Sequence, residues 1–331
     1  MIKRRFSKRV IVRTCVLAFV LAFAALEFEG VFRAMSGVVG SNLNPLQIGL
    51  LHWYEANVTT QFAVGTGPGA LAFDGASVWV ANRGSNTVTK LSLSGTLLGT
   101  FAVGNQPVGI AFDGANMWVT NRSDGTVTKL ASNGTPLGTF AVGNDPSGVA
   151  FDGANIWVTN GGSSNSVTQL RASDGTTLGT FAVGTSPIAV AFDGTDIWVA
   201  NSASNNVTKL ADNGAHLGTF AVGSNPQFLA FDGVHIWVAN FGSNNVTKLN
   251  LSGTTVGTFG VGTGPAGVAF DGSHIWVSNY GSNNVTKLSL TGTNLGNFAV
   301  GNNPIGVAFD GAFIWVANQF FCCSTGTVSK L

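Results

Sequence analysis

The sequence predicts an all-β fold of seven repeated four-stranded units that close into a ring. The motif Phe-Asp-Gly recurs with its aspartates 39 or 41 residues apart, and a tryptophan follows five residues after each aspartate. Repeats of about 40 residues are typical of ring and solenoid architectures. The aspartates are Asp74, Asp113, Asp152, Asp193, Asp232, Asp271 and Asp310, and the tryptophans are Trp79, Trp118, Trp157, Trp198, Trp237, Trp276 and Trp315.

One repeat divides into four short strands joined by turns. In the copy that starts at Pro107, the apolar run PVGIAF ends at the hairpin signal Asp113-Gly114. The runs NMWVTN, TVTKLA and PLGTFAVG follow, separated by RSDG and by Asn133-Gly134. Helical periodicity is absent, so each repeat indicates a four-stranded antiparallel blade. Seven such blades predict a seven-bladed β-propeller.

The first strand indicates how the blades stack. Large and small side chains alternate in Gly109-Ile110-Ala111-Phe112, which makes one sheet face bulky and the other small. We expect the bulky face of one blade to pack on the small face of the next, with the tryptophan adding apolar area.

The two ends of the repeated region are complementary. Residues 326–331 read as a third strand that lacks a fourth, and residues 58–65 read as a fourth strand with nothing before it. We expect the N-terminal strand to complete the last blade, because this velcro closure removes open sheet edges.

Residues 1–24 have the features of a signal peptide. A basic segment, Met1–Arg13, precedes the uncharged apolar run Thr14–Leu26, and Ala22-Phe23-Ala24 matches a cleavage pattern. The run is short for a membrane span, and an uncleaved anchor is the alternative interpretation. We therefore expect an exported protein that is periplasmic, at the cell surface or extracellular.

Residues 25–56 are predicted to be a linker, and residues 57–331 the propeller. Asn44-Pro45 followed by LQIGLLHWY indicates a short helix at about residues 45–54. This helix packs on the ring in one interpretation, and it lies on a membrane surface through Trp53 and Tyr54 in the other.

The composition argues against nucleic-acid binding. Only 9% of the residues are charged, and six of the 16 basic residues lie within the first thirteen positions. The remainder of the chain has more acidic than basic residues, whereas an electrostatic nucleic-acid binder needs a basic face.

The repeat resembles a known type. The repeat pattern of IWVANFGSNNVTKL followed by GTFAVGxxPxGVAFDG is similar to the YVTN repeat, which is related to NHL-type propellers of exported bacterial and archaeal proteins. The resemblance covers all seven copies and implies a seven-bladed propeller. It implies little about activity, because such propellers serve diverse binding roles.

Two features suggest metal ligands but have simpler explanations. The seven aspartates form a ring on one face, yet Asp-Gly is also what a tight turn requires. His235 and His274 occupy the same position in adjacent copies, but the flanking copies carry Asp196 and Phe313 and supply no suitable third ligand. We predict no metal site and no cofactor.

An asparagine follows each tryptophan by three residues, at the start of the loop between the second and third strands. Such side chains commonly bond loop backbone, and a neutral hydrogen-bonding ring around the central mouth is the alternative. These residues are Asn82, Asn121, Asn160, Asn201, Asn240, Asn279 and Asn318.

The repeat pattern breaks at the residue after each of these asparagines. The chain has Arg83 and Arg122 in two adjacent copies, Phe241 and Tyr280 in two others, and Gln319 in the last. Phe228 replaces a Gly or Ala of the other copies, and we expect it near the mouth beside Phe241. The interpretations are neutral drift on exposed loops and an off-axis pocket with a cationic side and an apolar side.

The longest mouth loop lies in the last copy, within residues 319–327. It contains Phe320, Phe321, Cys322 and Cys323. The loop either folds back on the blade edge or contacts a partner or a second copy, and the two cysteines form a strained disulfide, remain thiols or pair with another chain. Otherwise we expect a monomeric ring.

No catalytic motif is present, and the blades differ too little to supply the different groups that a propeller active site needs. We predict a non-catalytic binding module for an unknown protein or glycan, with membrane attachment only through an uncleaved signal. A propeller-type lyase or hydrolase similar to streptogramin lyases is one alternative. Such lyases use His and Glu at the mouth, where this chain has Asn and small residues. A structural cell-envelope protein is the other alternative.

Overall fold

The computed structural model describes residues 60–319 and 325–331, and every regular element in that part of the chain is a β-strand. The strands form seven four-stranded sheets in which all neighbours pair antiparallel. The predicted seven-bladed propeller is confirmed. The described residues contain no helix that is long and apolar enough to cross a membrane.

Blades 1 to 7 are numbered in chain order, and each has strands at four positions. The first strands are β2 Pro68–Phe73, β6 Pro107–Phe112, β10 Pro146–Phe151, β14 Pro187–Phe192, β18 Pro226–Phe231, β22 Pro265–Phe270 and β26 Pro304–Phe309. The second strands are β3 Ser77–Asn82, β7 Asn116–Asn121, β11 Asn155–Asn160, β15 Ile197–Asn201, β19 His235–Asn240, β23 His274–Asn279 and β27 Ile314–Asn318.

The third and fourth strands complete each sheet. The third strands are β4 Thr87–Ser92, β8 Thr126–Ala131, β12 Ser166–Arg171, β16 Asn206–Leu210, β20 Asn245–Asn250, β24 Asn284–Ser289 and β28 Thr325–Lys330. The fourth strands are β5 Leu97–Ala102, β9 Pro136–Ala141, β13 Thr177–Ala182, β17 His216–Ala221, β21 Thr255–Gly260, β25 Asn294–Ala299 and, in blade 7, β1 Thr60–Thr66.

Strand position decides burial. The first strands of neighbouring blades contact one another around the centre of the ring. The second strands are buried almost throughout, and the fourth strands alternate between exposed and half-buried residues at the outer edge. The hydrophobic core is therefore a series of layers between blades.

Those layers have the predicted large-on-small chemistry. Ala70 and Trp79 of blade 1 pack in one cluster with Ile110, Met117 and Val119 of blade 2. The same pairing of an alanine and tryptophan face with an aliphatic face recurs around the ring. Six of the seven tryptophans are almost completely buried.

The N-terminal strand closes the ring. β1 pairs antiparallel with β28, from Thr60 opposite Lys330 to Thr66 opposite Thr325, and this confirms the velcro closure. Phe62 lies 5.6 Å from the Trp315 ring, which is the contact that the fourth strand's phenylalanine makes with the tryptophan in the other blades. Residue 58, where the strand was expected to start, is outside the described residues.

Each tryptophan is held by the aspartate five residues before it. In blade 2, Trp118 Nε1 donates to Asp113 Oδ2 over 2.7 Å, while Asp113 Oδ1 accepts the backbone N–H groups of Ala115 and Asn116. All seven blades have the indole bond at the same distance. The carboxylate thus shapes the hairpin turn and orients the core tryptophan together.

A lysine on the third strand extends this contact to the next blade. Lys129 Nζ lies 4.9 Å from the centre of the Trp118 ring and donates to the carbonyl of Ala172 in blade 3 over 2.6 Å. Six blades have a lysine over the tryptophan; blade 3 has Gln169 instead, which still donates to Asp212 of blade 4.

Glycine is required where the blades touch at these turns. Gly134, in the turn between the third and fourth strands of blade 2, has a φ of 87°. A Cβ added there would overlap the ring of Phe101 in blade 1. Both the left-handed backbone and the packing therefore favour glycine at this position.

The hydrogen bonds from the indole and from the turn lower the pKa of the turn aspartates. Burial alone would raise the pKa of Asp74, Asp113, Asp232 and Asp271, but the bonds from the indole and from two backbone N–H groups outweigh it. The pKa of each lies below the ordinary value of 3.8. A lowered native pKa means that the ionised form stabilises the fold above the unfolded pKa, and that this contribution is lost as pH falls through the native pKa.

The ring should depend on β1 for closure. We expect deletion of residues 25–65 to abolish monomeric, cooperative folding, because it leaves the edge of β28 open.

Phe62→Ala should cost about 2 kcal/mol of unfolding free energy, and Phe101→Ala, at the same position in blade 1, should cost a similar amount. Size-exclusion chromatography and urea unfolding measure both effects; a folded monomeric deletion product would contradict the closure.

The bond between the turn aspartate and its tryptophan gives a prediction for how stability depends on pH. Asp113→Asn should lower the unfolding free energy at pH 7 by about 1 kcal/mol, because a charged acceptor of four hydrogen bonds is lost and solvent screening limits the effect. The difference should start to shrink as pH falls below the unfolded pKa of about 3.9, and it should be lost as pH falls through the lower native pKa of Asp113. Asp212→Asn, in an exposed turn, is the control. An equal difference at pH 7 and pH 3 would rule out the charge as the cause.

Candidate functional site

The ring has two chemically different faces. Pro68, Asn82 and Thr87 pair at one end of blade 1, whereas Phe73 and Val78 pair at the other. We call the first end the mouth face, where the second strand passes to the third and each blade connects to the next. The second end is the turn face, where the Asp-Gly turns and the turns between third and fourth strands lie.

The aspartates of the turn face are engaged within the protein. Each carboxylate accepts from its own tryptophan and from its own turn, which supports the interpretation of Asp-Gly as a turn signal. His235 Nδ1 and His274 Nδ1 lie 3.5 and 3.3 Å from Asp232 Oδ2 and Asp271 Oδ2 of their own blades. Among the described residues, no three His, Cys, Asp or Glu side chains are grouped so that they could hold a metal ion.

The seven asparagines are buried inside the blades at the mouth face. Asn121 Nδ2 donates to Thr126 and Thr128 of the third strand, and its Oδ1 accepts the backbone N–H of Gly104 in the loop that enters the blade. The partners are mainly threonine hydroxyls rather than the asparagine's own loop backbone. All seven side chains are fully buried, so a ligand at the mouth does not contact them in this arrangement: Asn82, Asn121, Asn160, Asn201, Asn240, Asn279 and Asn318.

The residues that follow these asparagines form a partly exposed ring around the mouth, which we call the mouth belt. Each donates its backbone N–H to the residue before the proline of its blade, as Arg83 does to Gly67 over 2.9 Å. This bond ties the two mouth loops of one blade together. The mouth belt consists of Arg83, Arg122, Gly161, Ser202, Phe241, Tyr280 and Gln319.

The cationic side of the mouth belt spans blades 1 to 3. Arg83 Nη2 donates to Gln106 Oε1 over 3.3 Å, and Arg122 Nε lies 4.0 Å from Asp145 Oδ1. Gln106 and Asp145 precede the prolines of the next blades, so both arginines reach across a blade boundary. The Arg122 and Asp145 side chains are each about two-fifths exposed, which leaves the pair open to exchange with a ligand anion.

The aromatic side spans blades 5 to 7. The rings of Phe241 and Tyr280 lie 6.0 Å apart at 54°. Phe241 also contacts Gly264, the residue before the proline of blade 6. Burial raises the pKa of Tyr280, and a hydrogen bond with Asn303 opposes that effect. The two rings therefore form a half-buried apolar patch opposite the arginine-bearing blades.

Phe228 lies deeper than the mouth belt. It pairs in register with Ala239 on the second strand of its blade and packs against the cluster of Trp237 and Val268. It also lines a central cavity of about 100 Å³, together with apolar and small residues of the other first strands. A cavity of this size is below the range of about 300–1,000 Å³ for small-molecule pockets. A ligand larger than a few waters therefore has to bind outside this central cavity, at the mouth face.

A wider groove lies at the outer edge between blades 2 and 3, with a volume of about 570 Å³. Its lining is neutral and comes from Ala141, Ser164, Thr168, Thr177 and Thr180, among others. The sequence analysis did not identify this groove. The available signal was the spacing of 41 residues between Asp152 and Asp193, since the extra residues fall in the loops of blade 3.

The predicted contact loop is only partly described. Gln319 donates its backbone N–H to Asn303 over 3.1 Å, and its side chain lies near Gly67 of blade 1. Phe320, Phe321, Cys322 and Cys323 are outside the described residues. The interpretation of residues 319–327 as a contact site stays a prediction.

No protein-family profile matches the sequence, and no curated protein matches it. Solved structures do show the same ring. A chain of Kuenenia stuttgartiensis hydrazine synthase has a TM-score of 0.71 at 20% identity, covering 81% of this chain and 97% of that chain. A catalytically inactive histidine-to-alanine variant of virginiamycin B lyase from Staphylococcus aureus, solved with quinupristin, has a TM-score of 0.72 at 18% identity, covering 83% of this chain and 99% of that chain.

A streptogramin B lyase structure is similar to the same extent, with a TM-score of 0.70 at 18% identity and coverage of 83% of this chain and 98% of that chain. At such identities the likeness shows the fold alone, because one fold hosts many unrelated functions. The similarity to the YVTN repeat stays a resemblance, and the chain is a seven-bladed β-propeller similar in fold to these proteins.

Proposed function

We propose that this chain is an exported, non-catalytic binding module that holds a protein or glycan at its mouth face. The observation that supports this most directly is the break in the repeat at the mouth belt. Residues that build the blades are nearly the same in every copy, whereas the mouth belt carries arginine on one side and aromatic rings on the other.

The mouth belt offers two kinds of contact. Arg83 and Arg122 supply planar donors for a carboxylate, phosphate or sulfate group. Phe241 and Tyr280 supply a half-buried aromatic surface on which an apolar side chain or the apolar face of a sugar can pack. Aromatic and arginine side chains are also the types that dominate binding energy at interfaces.

The side chains of the mouth belt support binding rather than catalysis. A propeller enzyme needs a base or acid within hydrogen-bonding reach of its substrate. The described part of the mouth belt holds arginine, serine, glutamine, aromatic residues and glycine, and the nearby Asp145 faces Arg122. His216, His235 and His274 begin strands at the turn face, on the other side of the ring.

The lyase alternative has one observation in its favour, the shared fold with streptogramin B lyases. The inactive variant among those structures lost a histidine, and the described mouth belt of this chain has none. A structural envelope role is the other alternative, and the neutral Asn and Thr surface is compatible with it.

Binding at the mouth can be tested with a panel of defined envelope polysaccharides, peptidoglycan fragments and divalent metal ions. We expect a bound probe to lose about tenfold or more in affinity with Phe241→Ser plus Tyr280→Ser, or with Arg83→Gln plus Arg122→Gln, because each pair removes one side of the belt. Isothermal titration calorimetry measures the change. Leu217→Gln, at the turn face, is the control and should bind normally; equal binding by all variants would contradict a mouth site.

The lyase alternative predicts turnover. We expect the purified chain to leave quinupristin intact over hours, as followed by mass spectrometry, because the described mouth belt lacks a histidine. Conversion of quinupristin to a product that disappears in a mouth-belt variant would favour the lyase instead.

A further inference from the structure

The exposed aliphatic side chains are all at one face of the ring. Every Leu or Val that the described residues expose strongly lies in an Asp-Gly turn, in a turn between third and fourth strands, or at the start of a fourth strand. The mouth face exposes none of them. Six recur at the same position in successive blades and form what we call the aliphatic rim: Leu98, Leu137, Leu178, Leu217, Val256 and Leu295.

The register explains why these residues encircle the turn face. Leu97 pairs with Leu91, which in turn pairs with Val78 just after the Asp-Gly turn. A bulge follows at this point of the fourth strands of blades 1 to 6, and in blade 1 Leu98 lies in it. Leu98 is 53% exposed and Leu217 is 50% exposed, although both flank a well-packed blade. The rim is therefore a fixed feature of the repeat, placed at the level of the turns.

Most charged side chains at this face are withdrawn or paired, and the exposed Asp212 adds an anion rather than a cation. Lys129 and Lys248 donate to carbonyls of the next blade and cover tryptophan rings. Arg171 pairs with Asp174 over 3.1 Å. The face thus presents aliphatic groups without a surplus of free cations, and electrostatic attraction to an anionic surface is not its main driving force.

The chain enters the ring at the same face. Thr60 is the first described residue, and it pairs with Lys330 at the turn-face end of blade 7. Lys330 Nζ donates to the carbonyl of Leu93 in a turn of blade 1, which confirms that Lys330 lies at the turn face. The sequence that leads into Thr60 includes the uncharged apolar run Thr14–Leu26. The chain therefore enters the ring at the face that carries the aliphatic rim.

We propose that the aliphatic rim docks the ring on the surface of a lipid bilayer, with the mouth belt directed away from the lipid. Membrane attachment is stable when two weak signals act together, and interfacial binding scales with the apolar area that is buried. The aliphatic rim supplies one weak signal for membrane attachment on the folded domain. Any contribution from the apolar run Thr14–Leu26 adds to it.

The arrangement of the rim favours lipid over a second copy of the chain. The aliphatic side chains are separated around a circle, with the polar Asp-Gly turns inside it. A protein interface needs a contiguous, closely packed apolar centre. A fluid lipid surface can surround each separate side chain, so the same circle suits it.

The test uses the full chain with large unilamellar vesicles of phosphatidylcholine and hydrogen–deuterium exchange. We expect the amides of the turn at residues 92–98 to exchange about tenfold more slowly when vesicles are present, while those of the mouth loop at residues 103–106 do not change. Vesicle binding should persist at high salt, since the contact is apolar. The mouth loop is the internal control within the same molecule.

Two matched triple variants test whether the aliphatic rim causes the protection of the turns. Leu98→Gln, Leu137→Gln and Leu217→Gln together should abolish the protection of the turns. Ala102→Gln, Ala141→Gln and Ala221→Gln, at the exposed mouth ends of the same three strands, should preserve it. All variants keep the N-terminal segment, so its own affinity for lipid cancels in the comparison, and thermal unfolding checks that both remain folded.

Three results would overturn the proposal. They are no protection on vesicles, equal protection in the wild type and in the leucine variant, and protection of the turns in concentrated protein without lipid together with a doubled mass. The last result would assign the rim to a second copy of the chain. Because the mouth-belt variants leave the rim unchanged, failure of the proposed mouth binding is measured separately.

Discussion

The structure depends on one buried interaction, the tryptophan whose indole N–H is held by the aspartate of its own hairpin turn. Asp113 orients Trp118, and Lys129 covers the ring and bonds to the next blade. Each contact is worth about 1 kcal/mol, but the set recurs around a closed ring. A change in one copy therefore affects two blades.

The contacts of the ring tryptophan are altered in two of the seven blades, blades 3 and 6. Blade 3 replaces the lysine with Gln169, which keeps the bond to the next blade but gives up the cation over Trp157. Trp276 of blade 6 is 7% exposed, whereas the other ring tryptophans are fully buried. Blade 6 faces the blade that is assembled from both ends of the ring, where the third and fourth strands are not joined by a continuous turn.

The same constraint indicates where function can reside. The turn aspartates and the ring tryptophans bond to each other, and six third-strand lysines cover those tryptophans. The seven asparagines donate to neighbouring strands and are fully buried, although the Oδ1 atoms of five of them accept no hydrogen bond. These side chains are therefore engaged in the blades or closed off from a ligand at the surface. The positions left to vary are the mouth belt and the outer ends of the strands. The mouth belt differs between blades, which suits recognition of one ligand, whereas the aliphatic rim is repeated, which suits a surface without specific shape. The two proposals therefore concern opposite faces of one ring.

The sequence by itself determined the number of blades, the strands and the closure, because Asp-Gly turns, prolines and strand periodicity are local signals that repeat seven times. It also determined which mouth-belt residues break the pattern. Only the tertiary structure decided that the asparagines are buried, that Phe228 lines the central cavity, and that five third-strand lysines bond to the following blade. Those outcomes depend on how neighbouring sheets stack, which brings together residues about 40 positions apart, and no single repeat contains that information.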